Sequence, residues 1–427
     1  MGIRATYNKL AHNTLMQNIA SLGLVQLANY AIPLLIMPFI TRALGPEAFG
    51  KASYAQNIIA YLTIIVNYGF EYTATQDVAL NREDKDKTRH IFWSVMKFKT
   101  VLLSISLIAL ALLYFFFDKV NEDPSLYIYA WLINVGFVMF PTWFFQGMEN
   151  MKKMAVFNFI TKLCGAILTI AVVSSPQDYR LYILVLSLSY IAVGVVSFAY
   201  VLRKYDLTPY QTNKETYISG IKKGFPVFIN NIFVSFYNVV GITIVGIYMS
   251  NSEVGIYSGG QKIVQAIVVL TVLPISISLF PRISRLFASD KDKAIKYLKK
   301  ATIISIGLGI IVCFTIILLA PFVTSILLGA EFREASTLIK VMSPLPMLVL
   351  IATILTVQGL YGMQKQKLVP FVGLACGSIS LISSLLLIPR FGAYGAIYAW
   401  IAAEIAEIAI DLIIIIRSSR KAVLCTT

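Results

Sequence analysis

The sequence predicts an all-α polytopic membrane protein, with twelve transmembrane helices in two six-helix lobes around a central cavity. Three observations lead there. Apolar runs of about twenty residues, each long enough to cross a hydrocarbon core, recur along the whole chain. Lysines and arginines fall on alternate loops between those runs. Two short motifs appear twice, at nearly the same separation.

The apolar runs predict spans at Asn18–Thr41, Tyr54–Thr75, Thr100–Phe117, Leu126–Gln146, Met154–Val173 and Leu181–Val201 in the first half. The second half repeats the count, with Phe225–Met249, Ile256–Phe280, Ala301–Leu328, Ser336–Gly362, Leu368–Ile388 and Gly392–Ile416. Each should be helical, because a segment alone in lipid must satisfy its own backbone hydrogen bonds. The first run is long and lacks a small-residue cleavage site, so it reads as a retained span. Composition agrees: 58% of the 427 residues are hydrophobic, 13% are charged, and the mean hydropathy is +0.76. A soluble domain carries about twice that charged fraction.

Charge sets the orientation. With the N-terminus in the cytoplasm, 27 of the 36 Lys and Arg fall on the inner side. Only Arg42, Lys51, Lys119, Arg180, Arg333 and Arg390 lie outside. Glu71 and Asp77 lie near the inner end of the second span and are expected to reach the headgroups. This distribution predicts cytoplasmic termini at both ends and explains the net charge of +15 as a topology signal. The same basic inner face suits anionic membrane lipids, and nucleic acid is not expected as a partner.

The repeats divide the chain. L-G-P-E-A-F-G-K-A-S-Y-A-Q at Leu44–Gln56 returns as S-N-S-E-V-G-I-Y-S-G-G-Q at Ser250–Gln261, which pairs Glu47 with Glu253 and Gln56 with Gln261. G-M-E-N-M-K from Gly147 returns as G-M-Q-K-Q-K from Gly362. A duplicated half follows, with a six-helix lobe at residues 1–202, a cytoplasmic linker at 203–224 and a second lobe at 225–427. Transporters are commonly built from such internal repeats.

The chemistry lies in polar groups inside apolar spans. The four cysteines are scattered and the only histidines are His12 and His90, so neither a metal centre nor a disulfide framework is expected. There is no Walker-type phosphate loop and no nucleophile–base pairing, which argues against an enzyme, and no cofactor is expected. Lys162 and Lys262 sit within spans, where a cation either lines a cavity and binds an anion or snorkels to the headgroups. Arg42 reads first as an interface anchor. Glu404, Glu407 and Asp411, spaced three and four apart, share one face of the last span. They form either a proton- or ion-exchanging group or a structural cluster paired with lysines of neighbouring spans. Pro33, Pro38, Pro226, Pro274, Pro344 and Pro346 mark bends, and Gly255 with Gly259 allows close helix approach. The many Tyr and Phe are expected mostly to face lipid.

The motifs carry a resemblance. L-G-P-E-A-F-G-K-A-S-Y-A-Q, P-T-W-F-F-Q-G-M-E-N-M-K from Pro141, Y-G-M-Q-K-Q-K from Tyr361 and P-R-F-G-A-Y-G-A from Pro389 resemble the Wzx-type O-antigen and polysaccharide flippases. These belong to the multidrug/oligosaccharidyl-lipid/polysaccharide exporter superfamily. The resemblance runs nearly end to end. It implies movement of undecaprenyl-diphosphate-linked oligosaccharide across the inner membrane by alternating access, with proton or sodium coupling. It points to Lys262 as the holder of the pyrophosphate, with Lys162 and, from the outer mouth, Arg42 and Lys51. Gln56, Gln261 and Asn57 complete the expected substrate-binding set, and Glu404, Glu407 and Asp411 the ion-coupling set. Expected partners are the lipid-linked oligosaccharide, membrane lipids, a polysaccharide polymerase and a chain-length regulator. Two alternatives remain open: a drug/cation antiporter of the same superfamily, and a membrane polysaccharide polymerase or ligase. The latter class carries a large outer loop, which this chain lacks. After the shared glutamine the first motif copy has Asn57 where the second has Lys262, so any common cavity would be charged on one side.

Overall fold

The computed structural model describes residues 14–210 and 214–424, and among these every ordered element is helical. Each of the twelve expected spans is mostly helical, and Leu126–Gln146 is broken into three short helices. Nine helical stretches of the described residues are long and apolar enough to cross a membrane. The chain is an all-α, multi-pass membrane protein. The first two spans run as one continuous helix, Thr14–Asn67, broken only where Gly45 takes φ 69°. That left-handed conformation suits glycine and turns the chain at the head of the first motif copy. Tyr68 and Gly69, at φ 50° and 99°, break it again before the Phe70–Leu80 helix.

Helix starts use the polar residues between the apolar runs. The carboxylates of Asp84 and Asp290 accept from Lys87 N and Lys293 N, each at 3.0 Å. Ser250 and Glu253 form a reciprocal capping box that opens the Asn251–Ser289 helix. The tenth span is not uniform: after Ala335–Met342 and Leu345–Thr353 it continues as a π-helical stretch, Ile354–Tyr361.

Contacts divide the chain into two compact units. Unit 1 holds residues up to Leu44 and Ala55–Ile232, and unit 2 holds Gly45–Tyr54 and Phe233 onward. Unit 1 is built on an aromatic core of Tyr68, Phe70, Phe92, Phe98, Trp143 and Phe144, all buried. These rings are interior, while Phe115, Phe116, Phe314 and Phe371 are among the many aromatics left exposed. The interior rings stack edge-to-face, as between Tyr68 and Phe98 at 5.2 Å and Phe92 and Phe144 at 5.2 Å. Lys99, on the Lys85–Phe116 helix, is fully buried and feels the charge of Glu71. Glu71 accepts from Thr142 at 2.7 Å, and the part-exposed Asp77 pairs with Lys223 at 3.0 Å. The core of unit 2 is aliphatic, centred on Ile283, Leu350, Ile354, Leu360 and Ile415.

The repeated motifs do similar packing work in each place. A Cβ on Gly147 would lie 2.6 Å from Val78 Cβ, and one on Gly362 would lie 2.6 Å from a Phe287 ring carbon. Both glycines let helices close to a distance that no side chain allows.

Asp123 ties two helix starts of unit 1 together. It caps Leu126 N and accepts from Tyr179 Oη at 2.6 Å and Arg180 Nε at 2.9 Å. Burial raises its carboxyl's titration, but the hydrogen bonds from Tyr179, Arg180, Ser125 and Leu126 N outweigh this and hold it below the ordinary carboxylate range. A carboxyl depressed in the folded state stabilises fully above its unfolded pKa of about 4 and loses that contribution as pH falls through the folded value. Asp123→Asn is therefore expected to cost about 1–3 kcal/mol at pH 7. Thermal unfolding across a pH series should show the wild-type advantage shrinking below about pH 4. A pH-independent difference would mean that charge plays no part in this junction.

Candidate functional site

The cationic site is assembled inside unit 2 from both copies of the first motif. Gly50 and Gly255 make this possible. A Cβ on Gly50 would lie 1.8 Å from Asn251 O, and one on Gly255 would lie 2.0 Å from Pro46 O. The two motif copies therefore pack backbone against backbone, each glycine seated on the other copy's main chain. That contact sets Phe49 and Ser53 beside the next turns of the Asn251–Ser289 helix. Lys262, half-buried, places Nζ 4.6 Å over the Phe49 ring and 3.4 Å from Ser53 Oγ. Phe49 is itself braced edge-on by Phe332 at 5.8 Å.

This is a cation held by a ring face and a hydroxyl, with no carboxylate among these contacts. A lysine paired with a carboxylate has its charge answered. One resting on a π-face keeps donors for an incoming anion. Gln261 is buried beside it.

The other expected binding residues are distributed differently. Lys51 forms an ion pair with Glu47 at 2.9 Å, one turn along the same helix. Arg42 is exposed and donates to Pro38 O at 3.3 Å. In unit 1, Lys162 donates to the Tyr190 hydroxyl and lies 4.9 Å over that ring. Gln56 lines a cavity of unit 1, and Asn57 is buried. Only Lys262, of the seven, comes together with the first motif's Phe49 and Ser53.

The acidic face is built as one group within unit 2. Glu404 and Asp411 are essentially fully buried. Glu404 Oε1 accepts from Trp400 Nε1 at 3.1 Å. Thr356 Oγ1 lies 3.2 Å from Glu407 Oε1 and 2.5 Å from Asp411 Oδ2. A hydroxyl has one hydrogen, so it can donate to only one of these carboxyls. The arrangement suits an acid–hydroxyl–carboxylate chain in which one of the pair keeps a proton. Asp411 Oδ1 has no donor. A cavity of about 190 Å³ opens beside the group, lined by Thr356, Cys376, Glu404 and Glu407 among mostly apolar side chains. The group is held by hydrogen bonds, and no ion pair among the described residues involves Glu407 or Asp411.

Sequence reasoning missed Thr356 and Gln358, which lie on the π-helical stretch. Gln358 is fully buried, donates to Ser276 O at 3.0 Å, and has no donor for Oε1. Two polar residues mid-way along an apolar span were the available signal, and π-helical turns are frequent at functional sites.

With this geometry in hand, the comparisons are specific. The profile of the family described as "Polysaccharide biosynthesis protein" matches residues 15–287. The chain belongs to that family. A second profile, MatE, matches residues 226–386. The resemblance read from the motifs is thereby borne out. A putative O-antigen transporter of Escherichia coli (strain K12) is 29% identical over 401 residues, covering 93% of this chain and 95% of the relative. A putative O-antigen transporter of Shigella dysenteriae is 27% identical, over 91% of this chain and 97% of the relative. Among solved structures, the lipid II flippase MurJ in an inward closed conformation aligns with a TM-score of 0.71 at 12% identity, over 93% of this chain and 87% of that one. An inward-facing multidrug resistance MATE family transporter of the MOP superfamily aligns at 0.69 and 15% identity, over 96% and 99%. At such identities the likeness shows the fold alone, that of the MATE and MurJ transporters.

Asp411→Asn keeps the volume, removes the ionisable group and supplies a donor. It is expected to hold or raise the thermal midpoint at pH 7, by about 1–3 °C. Asp411→Ala should lower it. A clear drop with asparagine would mean that the carboxylate is matched to a cation.

Proposed function

We propose that the protein flips undecaprenyl-diphosphate-linked oligosaccharide repeat units across the inner membrane for O-antigen or related polysaccharide assembly. The observation that carries this reading is Lys262, a half-buried cation on the Phe49 ring with the Ser53 hydroxyl beside it. A diphosphate carries charge and acceptor oxygens together, and such a corner answers both. The O-antigen transporter relatives, nearly full-length, support the cargo class, and the likeness to MurJ supports a fold able to move a lipid-linked saccharide.

Alternating access supplies the movement in this reading. Ion coupling falls to Glu404, Glu407 and Asp411, where the shared Thr356 hydroxyl and adjoining cavity give a proton or small cation a place to bind. Lys162, Arg42, Lys51, Gln56, Gln261 and Asn57 are assigned supporting contacts to the cargo. The Lys/Arg asymmetry supports cytoplasmic termini. A polymerase and a chain-length regulator are the partners that would use the delivered unit. The protein acts as a transporter in this account, not as an enzyme.

The drug/cation antiporter is the second reading, favoured by the MatE match and by the buried acidic group. The two readings differ at Lys262, because a cationic drug gains nothing from a buried ammonium.

Complementation of a deletion strain tests the proposal. Lys262→Ala, at equal expression, is expected to lower surface polysaccharide about tenfold, the usual scale for losing one charge-assisted contact. Lipid-linked oligosaccharide should then accumulate on the cytoplasmic side, and Lys262→Arg should largely restore assembly. Normal polysaccharide with the alanine variant would remove Lys262 from the substrate site.

A further inference from the structure

The motif P-R-F-G-A-Y-G-A takes no part in the site around Lys262. Its residues Pro389 to Tyr394 form one side of a cleft of about 400 Å³ in unit 2. Met249, Glu253 and Glu334 stand on the other sides. Small-molecule sites run from about 300 to 1,000 Å³, so the cleft can hold one compact group.

One cation and two carboxylates line this cleft without answering one another. Among the described residues, no ion pair involves Arg390, Glu253 or Glu334. The capping box fixes Glu253, whose Oε2 accepts from Ser250 N at 3.0 Å and Ser250 Oγ at 2.8 Å. A simple anion would meet Arg390 but be repelled by the glutamates, and a simple cation would meet the reverse. A zwitterion with its charges a few ångströms apart satisfies all three. Phosphate suits the Arg390 end, because a guanidinium holds two of its oxygens at once. The Ala393–Leu424 helix opens beside Arg390 after the turn at Gly392, and its first turn carries no acidic residue. Its first N–H groups lack intrahelical partners, which favours the anionic end there. A primary ammonium suits the glutamates, since it brings three hydrogens to groups that only accept. A quaternary ammonium brings none.

The cleft lies where the spans of unit 2 end, and the Lys/Arg asymmetry supports this as the outer end. Its apolar side continues onto the exposed surface. Phe391 is 52% exposed, and its ring stands 6.3 Å from that of Tyr398, 43% exposed on the next helix. Along the Val369–Phe391 helix the exposed face runs on through Leu386, Leu385 and Ile382. That track is about 14 Å long at helical rise. Charges for a headgroup, with an apolar track leading away from them, match a phospholipid better than a soluble zwitterion.

We propose that this cleft binds one phospholipid of the phosphatidylethanolamine type. Arg390 holds its phosphate, Glu334 and Glu253 its ammonium, and Phe391 starts the track for its acyl chains. The site is independent of what the protein transports.

Native mass spectrometry of the full chain in detergent tests it. The probes are dioleoyl phosphatidylethanolamine, phosphatidylglycerol and phosphatidylcholine, which share their acyl chains. The first phosphatidylethanolamine is expected to bind about fivefold tighter than either of the others. Arg390→Gln and Glu334→Gln should each bring it to the phosphatidylcholine level. Arg333→Gln makes the same charge change at the same end but outside the cleft, and should leave the preference intact. All variants are first checked for an unchanged thermal midpoint. Equal affinity for the three lipids overturns the proposal, as does a preference that survives both cleft substitutions. Tightest binding of phosphatidylglycerol would mean a plain anion site and overturn it too. Displacement of the lipid by millimolar glycerophosphoethanolamine would make the occupant a soluble zwitterion and overturn the lipid assignment.

Discussion

The backbone contact between Gly50 and Gly255 is the constraint on which the cationic site depends. Two helix starts meet there with no room for a Cβ on either side. Hydrophobic burial does not favour helix association in lipid, where the tails are as apolar as the side chains. Close van der Waals contact is what remains, and small residues allow it. Here the contact also has a chemical result, because it sets a ring and a hydroxyl from the first motif copy against a lysine that follows the second.

The same physics explains why the two copies diverged. Glu253 completes a capping box with Ser250 at a helix start, whereas Glu47 pairs with Lys51 just after the Gly45 turn. Equivalent residues thus serve different local needs. The Asn57-for-Lys262 difference reads the same way. Unit 2 has a cation resting on Phe49, while in unit 1 Gln56 lines a cavity with Thr63 and Ser187.

Much of this was legible in the sequence. Span positions followed from apolar length, because the bilayer sets a minimum that few other features mimic. Glu404, Glu407 and Asp411 were recognisable as one face because helical periodicity places them so. Partners from distant spans were not legible. Nothing local announces that Thr356 reaches two carboxyls of the last helix, or that Phe49 lies under Lys262. Lys99 was hidden for another reason: it ends a stretch rich in charge, and nothing in that stretch announces that the Lys85–Phe116 helix buries it. The aromatic core of unit 1 was not legible, since ring content does not distinguish a lipid-facing belt from an interior.

The central claim is that the Gly50–Gly255 contact builds the anion corner around Lys262. Binding of farnesyl diphosphate to the protein in nanodiscs, comparing wild type with Gly255→Ala, tests it most directly. Lys262 is untouched in that variant, but a Cβ 2.0 Å from Pro46 O must push the two helices apart. The account predicts about a tenfold loss of affinity in protein that still unfolds cooperatively. Wild-type affinity in folded Gly255→Ala would contradict it.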